Sequence, residues 1–322
     1  MRCVVSLIGG SFFVALLGIY ENFFGMAQST WHDEELFEEI SGRVVSTFEN
    51  PNVLAEYLIM ILPFMLTLLL IKGKVSWKLA ALITGGAAGL CLIFTWSRGA
   101  WLGIMFAVIV YMLIYSRKTM LAFAVGICAV PLLPFVLPQS IINRFLSIGN
   151  LKDTSTNYRV NIWKAVINLV EDHFGGGIGV GTAAFGEVYP EYSLAAIESA
   201  PHSHNLYLQI LVEIGIFGLL VFIAVVFLMA QSSFSFYAGL SKHMGHGNDD
   251  TVITHKLLSA AGFCGIIAIL VQGMTDHVWY NYRVFCMFWL IMGLTMAVRR
   301  AAENSMTETG LPESSVDLVY EE

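Results

Sequence analysis

"LYLQILVEIGIFGLLVFIAVVFLMA", residues 206–230, contains one charged side chain, Glu213, among 25 residues. A bilayer core is crossed by a helix of about 20 predominantly apolar residues, so this stretch reads as a spanning helix. The rest of the chain repeats it. Of 322 residues, 57% are hydrophobic and 13% charged, with a mean hydropathy of +0.70, well outside the range of soluble domains. Further apolar runs at 3–20, 53–71, 79–96, 99–115, 120–137, 257–274 and 284–298 predict an all-α, polytopic transmembrane helical bundle of about eight spans. Arg2 followed by an apolar run resembles a leader, but no small-residue cleavage site follows Tyr20, so the first run is expected to stay as a span. Cys3, Cys91, Cys128, Cys264 and Cys286 all fall inside the runs, without metal-ligand spacing, and read as packing residues. The net charge of -7 gives no footprint for nucleic acid.

Basic residues set the expected orientation. Arg2, Lys72, Lys74, Lys78, Arg117, Lys118, Lys242, Lys256, Arg299 and Arg300 lie in alternate connections, which the positive-inside rule places in the cytoplasm. Both termini are then inside. The chain divides into five spans with an acidic outer loop at 21–52 (residues 1–137), a large extracytoplasmic loop (138–205), three more spans (206–300), and an acidic cytoplasmic tail (301–322) that reads as disordered. A loop of about 68 residues demands a purpose, because structureless connections beyond about 15 residues are uncommon.

Within that loop, TSTNYRVNIWKAVINLVEDH, residues 154–173, reads as an amphipathic helix. Ile162, Trp163, Val166 and Val170 recur at helical spacing, and the helix is expected to lie along the outer membrane surface. Thr154 to Asn157 are N-cap candidates, placing Arg159 in or near the first turn, where N–H groups and a guanidinium could share an anion. The competing reading is an arginine reaching lipid headgroups. Next, GGGIGVGTAAF (175–185) satisfies G-x-G-x-x-A, but it follows a helix and no βαβ unit surrounds it, so a dinucleotide site is not expected. No Gly-Lys-Ser/Thr follows either, which excludes a phosphate loop.

Polar groups gather toward one end of the spans. His202, His204 and Asn205 precede the quoted run, and Gln209 and Glu213 share one of its faces. Glu56 and the pair Asp276-His277 sit toward the same end of their runs. Ionisable groups at such depth need the bundle interior or water, so a cavity open to the outside is expected. Arg98 sits in a hairpin of almost no length, where it either snorkels to headgroups or joins Arg159 as the second of two bidentate phosphate donors.

In order along the chain, Asn50-Pro51-Asn52 after RVVSTFE, Ser97-Arg98-Gly99, Arg159 with Trp163, Gly177, Gly179 and Gly181, and His204-Asn205-x9-Gly215-x2-Gly218 resemble the O-antigen ligase and O-antigen polymerase family. Its members are bacterial membrane glycosyltransferases of GT-C type. The last motif fits H-[NSQ]-x9-G-x2-[GTY] at every fixed position. The resemblance implies that loop 138–205 is catalytic and that a glycan is transferred or polymerised from an undecaprenyl-diphosphate carrier. The acceptor would be a hydroxyl of a glycan, lipid or wall polymer. The setting would be cell-envelope polysaccharide or lipopolysaccharide synthesis at the outer face of the cytoplasmic membrane, without cofactor, metal or nucleotide. Arg98 and Arg159 would grip the diphosphate, stabilising charge where it develops, and His204 would take or orient the hydroxyl proton. His202, Asn205, Gln209, Glu213, Asp276, Gly177, Gly179 and Gly181 are expected to line the substrate site. Two departures stand out. Phe174 replaces the proline that usually precedes the glycine loop, and relatives usually have more spans, so N-terminal helices are expected to be missing.

Two other functional classes compete. A polysaccharide transporter or lipid-linked-glycan flippase would predict repeated halves and helices broken near the midplane; no repeat is evident. A zinc hydrolase built on His202-x-His204 lacks H-E-x-x-H or a third ligand at recognisable spacing.

Overall fold

The computed structural model describes residues 2–25, 42–115, 138–194, 197–243 and 250–308. Among these, all regular structure is helical. The elements are α1 (Arg2–Phe24), a 3₁₀ turn (Ser46–Phe48), α2 (Pro51–Leu70), α3 (Val75–Phe94), α4 (Arg98–Tyr115), α5 (Gln139–Leu146), α6 (Thr154–His173), α7 (Thr182–Tyr192), α8 (Leu206–His243), α9 (Asp250–Gln272) and α10 (Tyr282–Glu308). Seven of them, α1 to α4 and α8 to α10, are long and apolar enough to cross a membrane, so the chain is a multi-pass helical bundle. The expected span 120–137, the acidic stretch of the first loop and the end of the tail lie outside the described residues. The tail differs in part from expectation, because α10 runs on to Glu308.

Burial separates the helices into two ranks. The apolar windows of α2 and α9 are 78% and 72% buried, against 22–33% for the other five. These two form the centre, and α1, α3, α4, α8 and α10 expose apolar faces, as helices at the lipid boundary of a bundle do. Small residues permit the tight contacts: a methyl at Gly265 of α9 would meet the Met60 backbone carbonyl at 2.5 Å, the close approach expected of membrane helix pairs.

Chain direction alternates, and this positions the site. α2, α4, α8 and α10 begin, and α1, α3 and α9 finish, at one end of the bundle, where residues 42–49, 95–97, 138–205 and 273–281 connect them. The 42–49 linker is tied down there by Glu21 of α1, whose Oε2 accepts from the backbone N–H groups of Val45 at 3.0 Å and Ser46 at 2.8 Å.

The expected amphipathic helix occurs with the expected bounds, 154–173, yet its apolar face does not lie on a membrane surface. Ile162, Ala165, Val166, Leu169 and Val170 are buried against Phe185 and Tyr189 of α7, Ala200 of the following loop and Val212 of α8. Within the long loop, α6 and α7 therefore form a small cap with its own core, while Ile141 and Phe145 of α5 pack against the core of the bundle. The N-cap is also corrected: Asp153, not a residue of 154–157, accepts from Thr156 N. Arg159 consequently sits in the second turn, away from the first-turn N–H groups proposed to hold an anion.

Candidate active site

His204 lies in the loop that enters α8, with a positive φ of 50°, a conformation rare for non-glycine residues and found most often where surrounding structure enforces it. What enforces it can be named. Asn205 caps α8, its Oδ1 accepting from Tyr207 N and Leu208 N, while its Nδ2 donates to Met274 O. Gln209 Oε1 accepts from Ser203 N at 2.7 Å. His204 N donates to His202 Nδ1 at 3.1 Å, and Trp163 Nε1 donates to the His204 carbonyl at 3.4 Å.

The imidazole then meets a carboxylate. His204 Nδ1 lies 3.2 Å from Asp276 Oδ1. Asp276 is held by donors on both oxygens: His277 N donates to Oδ1 at 2.9 Å, Asn52 Nδ2 to Oδ2 at 2.9 Å, and Arg159 Nη2 stands 3.7 Å from Oδ2. Burial alone would raise the Asp276 pKa, but the His204 hydrogen bond and the charge of Arg159 outweigh it and hold the carboxyl well below its usual range. An ionised carboxylate accepts hydrogen bonds only. It therefore fixes the proton on Nδ1 of His204 and leaves Nε2 as the atom that can accept one, the orienting logic of a His–Asp pair in acyl-transfer enzymes.

Beside this dyad is a narrow polar hollow of about 20 Å³, lined by Arg43, Arg98, Arg144, Arg159, Asn52 and Asp276 among others. Arg98 neither snorkels nor stands open. It is 8% exposed, with Nη1 donating to Ser147 O and Oγ and Nη2 to Asp153 Oδ1 at 2.8 Å. Arg144 Nη1 approaches the other Asp153 oxygen at 3.6 Å. Arg43 donates from Nε to Thr95 O and from Nη2 to Asn52 Oδ1, both at 2.6 Å. Burial, followed by the charges of Arg144 and Arg159, lowers its pKa to about 9, still charged near neutrality. Arg159, with a 20% exposed side chain, is more open than Arg98 or Arg144.

The other predicted site residues brace this arrangement. Glu213 Oε1 accepts from Gln209 Nε2 at 3.0 Å and from Gly181 N at 3.1 Å. Gly177 and Gly179 lie against α8, where Gly215 breaks the helix with φ 68° and ψ -173°. The break releases the carbonyls of Val212 and Glu213, which accept instead from Ile178 N at 2.8 Å and Gly179 N at 3.0 Å, and Ile216 N donates to Phe174 O. The sequence read 206–230 as unbroken. A broken helix is one of the two features a transporter would show, but here the glycine loop fills the break.

Sequence reasoning missed Arg43, Arg144, Asp153 and the role of Asn52. It also missed a third group beside His202 and His204: atoms of His202, His204 and Asp276 lie within 4.8 Å of one another, a set that could hold a metal ion. Chemically the set fits a hydrogen-bonded dyad better, since both Asp276 oxygens already have donors and Arg159 would repel a cation.

Residues 79–223 match the family model described as O-antigen ligase, a stretch that contains Arg98, Arg159 and His204. No curated protein matches the chain.

Proposed function

We propose, from the match of residues 79–223 to the O-antigen ligase family model, that this protein transfers a glycan from an undecaprenyl-diphosphate carrier to an acceptor hydroxyl at the outer face of the cytoplasmic membrane. One observation carries the reading: an oriented imidazole stands beside a hollow lined by four arginines, of which Arg98 and Arg144 pair with Asp153 and Arg159 with Asp276. The excess of about two positive charges suits a diphosphate diester, which carries about two negative ones. In the reaction the acceptor oxygen forms a bond to the anomeric carbon as the bond from that carbon to the diphosphate oxygen breaks. The hydroxyl proton passes to Nε2 of His204, and the lipid diphosphate leaves with its charge held by Arg159 and the arginines behind it.

The test is transfer by purified protein in liposomes containing donor lipid and acceptor extracted from a deletion strain. His204→Ala and Arg159→Ala are expected to insert normally and lose on the order of 100-fold or more in rate; wild-type rates in both would refute the assignment. Activity that survives exhaustive chelation would separate the dyad from a metal-bound cluster. A cysteine placed at 159 should label from outside the cell, and labelling from the cytoplasm alone would reverse the orientation.

A further inference from the structure

The family match spans residues 79–223, yet the carboxylate that orients His204 lies after it, and Asn52 and Arg43, which hold that carboxylate from the other side, lie before it. The chain of contacts runs Arg43 Nη2 to Asn52 Oδ1 at 2.6 Å, Asn52 Nδ2 to Asp276 Oδ2 at 2.9 Å, and Asp276 Oδ1 to His204 Nδ1 at 3.2 Å. It links the 42–49 linker, the first turn of α2, the turn after α9 and the loop before α8. All four residues are buried, at 5%, 6%, 7% and 7% exposure in that order.

The local sequence explains why Asn52 can serve. Asn50 caps α2 and accepts from Asn52 N at 2.8 Å, and Pro51 occupies the first helical position, where its missing N–H costs nothing. With capping assigned to Asn50, the Asn52 side chain points across the bundle. An amide is the neutral side chain that can accept from a guanidinium at one end and donate to a carboxylate at the other. Arg43 Nε is itself fixed on Thr95 O, which also sets which way the amide faces.

We infer that Asn52, held by Arg43, is a positioning residue for the transfer reaction: it holds Asp276 so that the carboxylate Oδ1 fixes the His204 imidazole, and it acts through Asp276 rather than on the substrate. The inference rests on the glycosyl-transfer reading above. A double-mutant cycle tests it, with transfer measured in liposomes as the mole fraction of extracted donor lipid is varied. Asp276→Asn is expected to lower kcat on the order of 100-fold. Asn52→Leu should lower it about 10-fold with donor KM unchanged, and should change the rate of the Asp276→Asn protein by less than about twofold. Asn52→Asp, which keeps the shape but loses the donor, should fall at least as far as Asn52→Leu; it decides the matter, with Arg43→Lys partly active, if Asn52→Leu does not insert. Equal fold losses from Asn52→Leu in both backgrounds, or a rise in donor KM at constant kcat, would overturn the inference. If His204→Ala retained activity, the functional reading itself would fail. Loss in His204→Ala with additive Asn52 effects would sink the relay alone.

Discussion

Asp153 serves two parts of the molecule at once. Its Oδ1 accepts from Thr156 N at 2.9 Å, capping α6, and from Arg98 Nη2 at 2.8 Å. Loss of a cap costs about 1 kcal/mol, and stranding one partner of a buried ion pair costs about 3–5 kcal/mol. Asp153→Ala should therefore lower unfolding stability by roughly 3 kcal/mol or more, seen as a lower Tm in detergent, whereas Lys152→Ala, at an exposed neighbour, should change little. A small Tm change in Asp153→Ala would show that Arg98 finds other partners. Arg98, Arg159 and His204 were legible because each belongs to a local motif. Asp153, Arg43 and Asn52 were not legible as site residues, because their roles come from contacts across 55, 9 and 224 residues of chain, and no local spacing encodes such pairings.

At the scale of elements, the decisive feature is the break in α8. Hydrophobic periodicity finds helices but is blind to one residue leaving helical φ and ψ, so 206–230 read as continuous and the glycine loop as a substrate contact. Gly215 has φ +68°, and a methyl there would collide with the Gly175 carbonyl; at Gly177, φ +71°, a methyl would meet Glu213 backbone atoms at 2.5 Å. Either Gly215→Ala or Gly177→Ala should undock the cap from α8. The expected cost is more than about 2 kcal/mol, since a left-handed conformation alone costs an L-residue about 1–2. Transfer should fall as well, because the first turns of α8 anchor the His204 loop. Gly186→Ala in α7, where a methyl meets nothing within 4 Å, is the control and should be neutral or stabilising by up to about 1 kcal/mol. Similar Tm values in all three proteins would deny the docking role. The bounds of α6, by contrast, were legible in full, since its apolar stripe has helical period whether protein or lipid covers it. That ambiguity is why its surroundings were misread.

For the whole molecule, composition established the bundle but could not rank its helices, because a lipid-facing residue and a core residue are equally apolar; the central places of α2 and α9 emerge only from packing. What the packing does create is a buried, ionisable end, and that end should make the protein acid-labile. Burial, with the charge of His204 adding to it against Asp276, lowers the His277 pKa from 6.5 to about 4, and burial moves His202 in the same direction. Between pH 6.5 and 4 the unfolded chain then binds a proton at His277 that the folded chain refuses, so stability falls on acidification, by about 3 kcal/mol for this group. Asp276 and Asp153 have folded values below their ordinary ones despite the opposing effect of burial. Their stabilisation is complete above about pH 4 and is lost below it. Melting curves from pH 7 to pH 3 should show Tm declining through both windows. His277→Gln should make the upper window shallower, with the His202 contribution remaining, and Asp276→Asn should make the lower one shallower, with the Asp153 contribution remaining. A wild-type Tm that stays level from pH 7 to pH 4 would mean that these imidazoles are open to water, and with it the dry, oriented dyad at the mouth of the arginine hollow would have to be given up.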